Sequence, residues 1–255
     1  MELLRRTGLL PGIKLDTGVQ PLPGGAPGET RTCGLDTLAV RAGDAYAAGA
    51  RFAKWRAVLS VQPTPLATQE AAQGLALYAV VCQSCGLVPV LEPEVLAEGA
   101  HSLEACAAAT EAVLKALFTA CAEHGVLLEG TLLKPNMVIP GPDAPPASPQ
   151  QVAQATLELL RRCVPAAVPG ILFLSGGQSE AVASANLDAI VRAAGGPGGA
   201  PWALSFSYGR ALQASALKAW AGQPANVAAA QAVFLRRCAA NGAAALGQYA
   251  GEEGA

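Results

Sequence analysis

The sequence predicts an α/β fold built on a parallel sheet, and three observations support this prediction. Short apolar runs alternate with longer stretches of helical spacing, at a repeat of about 35–40 residues. Hydrophobic residues make up 52% of the chain and charged residues 14%, so we expect a large core. The length of 255 residues is typical of one α/β barrel. We therefore expect a single domain over residues 1–255.

The predicted elements follow one another as six strand–helix units. The predicted strands are residues 12–15, 52–61, 87–91, 127–133, 171–174 and 202–206. The predicted helices are residues 35–49, 66–83, 103–123, 149–163, 180–194, 210–220 and 227–246. Three stretches rich in Gly and Pro are predicted loops within the domain: residues 21–28, 140–149 and 195–201.

Charge and composition exclude several classes of protein. The net charge is −2 without a basic block, so we expect neither nucleic acid nor an anionic membrane as a partner. The first residues are too polar for a signal peptide, and no apolar run approaches membrane-spanning length. The sequence therefore predicts a soluble protein.

Cysteine and histidine usage gives no support for a metal site. The seven cysteines are scattered and odd in number, as expected of free thiols in a reducing compartment. Cys82 and Cys85 have redox-motif spacing but lack the second pair that zinc would need. His101 and His124 have no acidic or cysteine cluster near them in the sequence. We therefore expect no metal ligand set.

One apolar run ends at a lysine, Lys134. Pro135 follows and has no N–H to continue a strand or helix, so Lys134 stands where a strand ends and a loop begins. In α/β barrels, catalytic groups occur at that end of the strands. A lysine among Leu132, Leu133 and Met137 is poorly solvated, which favours the neutral amine that forms Schiff bases. From this run alone, the alternative is a lysine that extends into solvent.

Polar residues recur within or just after the predicted strands. In a barrel the carboxyl ends of all strands converge on one mouth, so we expect these side chains to share one site. Several cations would then lie near a pair of acids. In strand order the residues are Lys14 and Asp16; Lys54 and Arg56; Glu92 and Glu94; Lys134; Ser175, Gly176 and Gly177; and Ser207, Gly209 and Arg210.

The second and third strands carry the charged pairs. Lys54 and Arg56 are two residues apart, so they point to one face together with Phe52, and their apolar neighbours favour burial on both faces. Buried like charges need an anion between them; a solvated pair on an exposed face is the alternative. Glu92 and Glu94 beside a lysine suit general acid–base catalysis, although acids are also common at helix starts.

The last two strands are followed by turns of small residues that predict a phosphate site. Backbone N–H groups in such turns can approach phosphate, and Arg210 opens a helix whose N-terminus favours an anion. Each turn alone could be only a tight turn. Together they match the barrel rule that phosphate is bound after strands seven and eight. We therefore expect the last six units of a (β/α)8 TIM barrel, with the first two strands absent.

Six motifs in chain order strengthen this assignment: GIKLD at 12–16, AKWR at 53–56, VPVLEPE at 88–94, LEGTLLKPNMV at 128–138, LSGGQS at 174–179 and FSYGRALQASAL at 206–217. Together they resemble class I fructose-bisphosphate aldolases, which form a Schiff base. The resemblance implies reversible cleavage of fructose 1,6-bisphosphate to glycerone phosphate and glyceraldehyde 3-phosphate, with no metal or other cofactor. It also implies a homotetramer in the cytoplasm or a plastid.

The resemblance assigns roles around the lysine. Lys134 would form the iminium with the substrate ketone, and the iminium would accept electrons when the carbon–carbon bond breaks. Glu92 would dehydrate the carbinolamine, while Glu94 and Lys54 would hold the charge pattern around the imine. The residues implied to bind substrate are Ser175, Gly176, Gly209 and Arg210 for the triose-side phosphate, Lys14 and Arg56 for the other phosphate, Asp16 to orient a lysine, and Gly177 and Ser207 as further substrate- or phosphate-binding residues.

The chain departs from the family pattern at both ends. The family has two further strands before Gly12, with an aspartate close to the Schiff-base lysine, and a C-terminal tail that ends in a catalytic tyrosine. No position here matches these features, so we expect a shortened chain. A missing general base costs about 10²–10⁴-fold in rate. The alternatives are an impaired sugar-phosphate-binding remnant or subunit partner, and, from the lysine alone, transaldolase-type transfer.

Overall fold

The computed structural model of the protein describes residues 2–251, and a parallel sheet lies at its centre. The strands of this sheet alternate with helices along the chain. The strands are β1 Gly12–Lys14, β2 Val19–Pro21, β3 Thr30–Thr32, β4 Phe52–Leu59, β5 Val88–Val95, β6 Leu132–Leu133, β7 Gly170–Phe173 and β8 Ala203–Phe206. The helices are α1 Glu2–Arg6, α2 Leu38–Ala47, α3 Pro65–Ser84, α4 Leu103–Glu123, α5 Pro149–Cys163, α6 Glu180–Ala193, α7 Arg210–Trp220 and α8 Val227–Ala245.

The central sheet has six strands in the order β1-β4-β5-β6-β7-β8, and each neighbouring pair is parallel. Each step from one of these strands to the next passes through a helix, as parallel pairing requires. Each of the six predicted strands therefore overlaps a strand of the sheet, the run at 127–133 over two residues only. Within residues 2–251 no ladder joins β1 to β8, so the described sheet does not close into a ring.

A short antiparallel hairpin of β2 and β3 follows β1 and was not predicted. It lies beside β4, where Thr32 Oγ1 donates to the carbonyl oxygen of Arg56 at 2.8 Å. The predicted loop at 21–28 forms most of the hairpin connection. Strands of three residues are too short to show an alternating apolar pattern, so they could not be recognised from the sequence.

The run at 127–133 was predicted to be a strand, and this prediction is wrong for most of its length. Only Leu132–Leu133 pair with their neighbours, and Leu128–Gly130 form a 3₁₀ turn. The Gln83 side chain accepts from the N–H of Leu127 at 3.1 Å and donates to its carbonyl oxygen at 2.8 Å. A side chain therefore satisfies the backbone groups that a neighbouring strand would otherwise need to pair.

Side-chain caps define the starts of four helices, α3 to α6. Each capping oxygen accepts from the backbone N–H three residues later, which satisfies a donor that the helix leaves open. The capping residues are Thr64, Ser102, Ser148 and Ser179. Proline at the first position of α3 and α5 adds a second start signal. The predicted bounds of α4, α5 and α7 are confirmed.

Helix α4 is long and apolar enough to cross a membrane by length and composition, contrary to the expectation from the sequence. Its position in the fold accounts for this character. It packs between α3 and α5 and against β5, and it buries a face that includes Val113, Leu114 and Leu117. The apolar side chains of α4 therefore contribute to the core between the sheet and the outer helices.

Candidate active site

Lys134 lies at the carboxyl end of β6, with its side chain only 11% exposed. Its backbone N–H donates to the carbonyl oxygen of Leu91 in β5 at 2.7 Å. Its Nζ lies 2.9 Å from Glu92 Oε1. Leu133 and Met137, on either side in the sequence, are buried. The lysine therefore contacts a carboxylate instead of extending into solvent.

The Glu92 carboxylate lies between two ammonium groups. Glu92 is 3% exposed, and its Oε2 lies 2.8 Å from Lys54 Nζ, opposite the contact with Lys134. These three residues come from the adjacent strands β4 and β5 and from the end of β6. We call Lys54, Glu92 and Lys134 the charged row. Both amines lie within reach of this one buried carboxylate, and in the described residues Oε2 is close to Lys54 without hydrogen-bond geometry.

Asp16 extends the charged row toward β1. It is 7% exposed, and its carboxylate lies 3.7 Å from Lys54 Nζ and 2.5 Å from Lys14 Nζ. The same carboxylate accepts from the backbone N–H of Arg56 at 3.2 Å and of Gly18 at 3.3 Å. Two backbone donors hold the carboxylate in place, so it can fix the direction of both lysines.

Arg56 pairs with the second acid of β5. Its Nε lies 2.5 Å from Glu94 Oε2. Burial by itself would lower the pKa of Arg56, but the hydrogen bond and charge of Glu94, with the charges of Glu92 and Asp16, raise that pKa above its usual value. The guanidinium therefore stays charged, and the neighbouring acids neutralise the two cations of β4.

The face of β4 that carries these cations is more open than predicted. Burial on both faces was expected, yet the side chains of Lys54 and Arg56 are 21% and 39% exposed, and Phe52 is also partly exposed. The opposite face, with Ala53 and Trp55, is fully buried. The strand therefore alternates, and its cations combine partial solvation with carboxylate partners.

The small-residue turn after β7 lies beside the segment that follows β6, and the turn after β8 lies beside the end of β7. The N–H of Leu174 donates to Pro135 O at 3.0 Å, and the N–H of Ser207 donates to Phe173 O at 2.9 Å. The residues that follow β6, β7 and β8 thus form neighbouring segments at one edge of the sheet. The predicted phosphate residues in these turns are Ser175, Gly176 and Gly177 after β7, and Ser207, Gly209 and Arg210 after β8.

The backbone at both turns is open for a ligand. Gly176 and Gly177 have φ of 55° and 80°, a conformation that residues with a Cβ rarely adopt. Gly209 and Arg210 are exposed at the start of α7. In the described part of the chain, no side chain caps this helix, in contrast to α3 to α6. The N-terminus of α7 can therefore offer its N–H groups to an anion.

Asn136 is a site residue to which the sequence analysis gave no role. It is 4% exposed, its Oδ1 accepts from the N–H of Val95 at 3.0 Å, and its Nδ2 donates to Thr110 Oγ1 at 3.1 Å. These bonds tie the loop after Lys134 to β5 and α4. A polar residue immediately after Lys-Pro is the only signal in the sequence for this role.

The cysteines do not form a reactive or metal-binding group in the described residues. No cluster of three His, Cys, Asp or Glu residues with metal-binding geometry occurs between residues 2 and 251. Cys82 and Cys85 are both free thiols. Burial raises the pKa of Cys82 to about 12, which suppresses the thiolate form.

The family model named Glycolytic, described as "Fructose-bisphosphate aldolase class-I", matches residues 1–255. "Fructose-bisphosphate aldolase 5, cytosolic" of Arabidopsis thaliana is 56% identical over 254 residues, which is 98% of this chain and 70% of that protein. "Fructose-bisphosphate aldolase, cytoplasmic isozyme 1" of Pisum sativum is 54% identical over 262 residues, covering 100% of this chain and 71% of that protein.

A solved structure of fructose-bisphosphate aldolase from Plasmodium falciparum is similar with a TM-score of 0.94 and 51% identity. The match covers 98% of this chain and 73% of that one. Together with the parallel sheet, it identifies the fold as α/β and TIM-barrel-like. These matches cover 98–100% of this chain and 70–73% of the relatives, and they do not establish the predicted shortening. The sequence and the structure agree on one conclusion: the chain belongs to the class I fructose-bisphosphate aldolase family.

Proposed function

We propose that the chain cleaves fructose 1,6-bisphosphate reversibly into glycerone phosphate and glyceraldehyde 3-phosphate, with Lys134 as the Schiff-base nucleophile. Membership of the family makes the chain a lyase that acts on a sugar phosphate. Its relatives are named cytosolic or cytoplasmic, which supports a cytoplasmic location. The single observation that carries the residue assignment is the Glu92 carboxylate, 2.9 Å from Lys134 Nζ and 2.8 Å from Lys54 Nζ.

In the first step, Glu92 takes a proton from the Lys134 ammonium, and the free amine attacks the C2 ketone of the substrate. The resulting carbinolamine loses its hydroxyl as water when Glu92 returns the proton, and a protonated Schiff base remains. The contact between the two groups makes a separate proton carrier unnecessary. Lys54 remains close to Glu92 and balances its charge during these transfers.

In the second step, the C3–C4 bond breaks, and its electrons move into the iminium to give an enamine. The hydroxyl on C4 loses its proton to Glu92 and becomes the aldehyde of glyceraldehyde 3-phosphate. The Lys54 ammonium stabilises the developing negative charge on that oxygen. Protonation of the enamine and hydrolysis of the iminium then release glycerone phosphate and restore Lys134.

The two phosphates of the substrate would bind on opposite sides of Lys134. The triose-side phosphate fits the turns after β7 and β8, where backbone N–H groups and Arg210 face outward. The other phosphate fits Lys14, at the end of β1, and Arg56, within β4. In sheet order these pairs of strands flank β5 and β6. A bisphosphate with its ketone near the middle suits this arrangement.

Borohydride trapping tests the nucleophile. The protein is incubated with glycerone phosphate and reduced, and peptide mass spectrometry is expected to find the added triose on Lys134. Lys134→Met should abolish labelling, whereas the exposed lysine control Lys218→Met should retain it. Labelling of wild-type protein at another lysine, with Lys134 unmodified in folded protein, would refute the assignment. Measured turnover would also reject the alternative of an inactive binding remnant, which no comparison favours.

We also infer from the family resemblance that the chain forms a homo-oligomer, a tetramer in this family, and that it is one domain. Sedimentation velocity should give a mass close to a multiple of the 25.6 kDa chain. Calorimetry should show one cooperative unfolding transition. A monomer in solution would contradict the first inference, and two separated transitions would contradict the second.

A further inference from the structure

We infer that Arg237 of α8 is a positioning residue that holds the turns after β7 and β8 at a fixed separation. This inference rests on the proposed phosphate-binding role of those turns. Each turn leads directly into a helix, since Gly177 lies three residues before α6 and Gly209 immediately precedes α7. Whatever fixes the starts of α6 and α7 relative to each other therefore sets the width of the phosphate site.

Arg237 contacts the beginnings of both helices. It is 3% exposed and projects from the middle of α8. Its Nη2 donates to the carbonyl oxygen of Glu180 at 3.0 Å and to Ser184 Oγ at 3.0 Å, both in α6. The same nitrogen donates to the carbonyl oxygen of Ala211 in α7 at 3.2 Å. One guanidinium thus bridges the first turns of two separate helices.

The Glu180 side chain completes this bridge. It is the first residue of α6, and its Oε1 accepts from both the backbone N–H and the Oγ of Ser215 in α7, each at 3.0 Å. Its Oε2 lies 3.9 Å from Arg237 Nε. The carboxylate therefore binds α7 directly while it balances the buried charge from α8. We call Arg237 and Glu180 the clamp.

Two further bonds lie near the turns, one between α6 and the residue before Gly209 and one within the turn after β7. Tyr208 Oη, two residues before α7, donates to Ala183 O in α6 at 3.0 Å. Gln178 Nε2 donates to Ser175 O at 2.8 Å, within the turn after β7. The glycines of this turn have no side chains with which to brace it, so its position depends on these flanking contacts.

The chemistry of arginine suits this role better than that of lysine. Its terminal nitrogen Nη2 reaches acceptors in both helices, while its Nε lies 3.9 Å from the Glu180 carboxylate. A lysine offers one flexible ammonium. Without the guanidinium, the carbonyl groups of Glu180 and Ala211 lose a buried donor, and the two helix starts can move apart.

Steady-state kinetics of Arg237→Met test the clamp, with the exposed neighbour Arg236→Met as the matched control. We expect KM for fructose 1,6-bisphosphate to rise about 5- to 20-fold in R237M, with kcat changed by less than about 2-fold, since a displaced phosphate site weakens substrate binding. The inhibition constant of inorganic phosphate should rise in the same proportion. R236M should match wild type in all three values.

A double variant separates this inference from the proposed phosphate site. Arg210→Gln alone should raise KM, and R237M should add little to it, because both changes weaken the same phosphate contact. An unchanged KM in R210Q would reject the phosphate role of that turn. A raised KM in R210Q together with an unchanged KM in R237M would reject the clamp alone. If KM of the double variant rose by the product of the two single increases, the clamp would also be rejected.

Ser215→Ala keeps the inference testable if R237M does not fold. It removes the hydroxyl that donates to Glu180 but leaves the buried guanidinium in place. We expect a smaller rise in KM, about 2- to 4-fold, at a melting temperature close to that of wild type. A lower melting temperature with wild-type KM and phosphate inhibition would show that these contacts serve stability only.

Discussion

The two halves of the candidate site are built differently. On the side of β4 to β6, charged side chains project from neighbouring strands and contact one another directly, as in the row of Lys54, Glu92 and Lys134. On the side of β7 and β8, the candidate ligands are mainly backbone groups of turns, and helices behind them fix their positions. The first half therefore depends on strand register, and the second depends on helix packing. Changes in the charged row should mainly lower kcat, whereas changes that weaken a phosphate contact in either half should mainly raise KM.

The largest effect is expected from Lys134→Met. Without the amine no Schiff base forms, so we expect kcat to fall about 10⁴-fold or more while the protein remains folded. The assay couples glyceraldehyde 3-phosphate to a dehydrogenase, and circular dichroism checks folding. Activity above one hundredth of wild type would show that another group starts the reaction. The exposed control Lys218→Met should retain full activity.

The second largest effect is expected from Glu92→Gln. The amide keeps the shape but cannot carry a proton between the lysine and the substrate, so kcat should fall about 10²–10⁴-fold. KM should change less than kcat, because the phosphates still bind. Glu129→Gln, at an exposed position before β6, is the matched control. An equal loss in both variants would contradict a specific role for Glu92.

A smaller effect is expected from Arg56→Met on the strand-based half of the site. We expect about a 10-fold rise in KM for fructose 1,6-bisphosphate, since one charge-assisted phosphate contact is lost. Fructose 1-phosphate lacks the second phosphate, so its KM should hardly change. Equal effects on both substrates would mean that Arg56 acts through Glu94 and not on a phosphate.

The smallest effect is expected away from both halves. Ser148→Ala removes the cap of α5 and should lower the free energy of unfolding by about 1 kcal/mol. Urea denaturation measures this change. The kinetic constants should match those of wild type, because α5 carries none of the candidate ligands. A change in KM would show that the outer helices influence the site more widely than the contacts indicate.

Local signals explain how much of the fold could be predicted. Helices α4 and α5 follow a capping serine, and α5 also has Pro149 at its first position. Residues next to each helix start therefore indicate where the helix begins. The charged row could also be predicted, because Lys54, Glu92 and Lys134 lie within or just after three predicted strands whose carboxyl ends converge. The hairpin of β2 and β3 could not be predicted, since its three-residue strands are too short to show the two-residue alternation of a strand.

Long-range contacts explain what could not be predicted. The 3₁₀ turn at Leu128–Gly130 follows from hydrogen bonds to Gln83, more than forty residues earlier in the chain. Arg237 contacts residues 26, 53 and 57 positions away, and its sequence neighbours give no sign of burial. Residues whose partners lie on other elements become recognisable only when the helices are packed together.

The brevity of β6 has a consequence for how firmly the nucleophile is held. A strand of two residues forms few backbone hydrogen bonds with its neighbours, so the strand itself contributes little to the rigidity of the segment. The amide of Lys134 and the side chain of Asn136 anchor it instead, one on each side of Pro135. Hydrogen–deuterium exchange at that single amide would therefore report the integrity of the reaction centre, independently of the stability of the surrounding barrel.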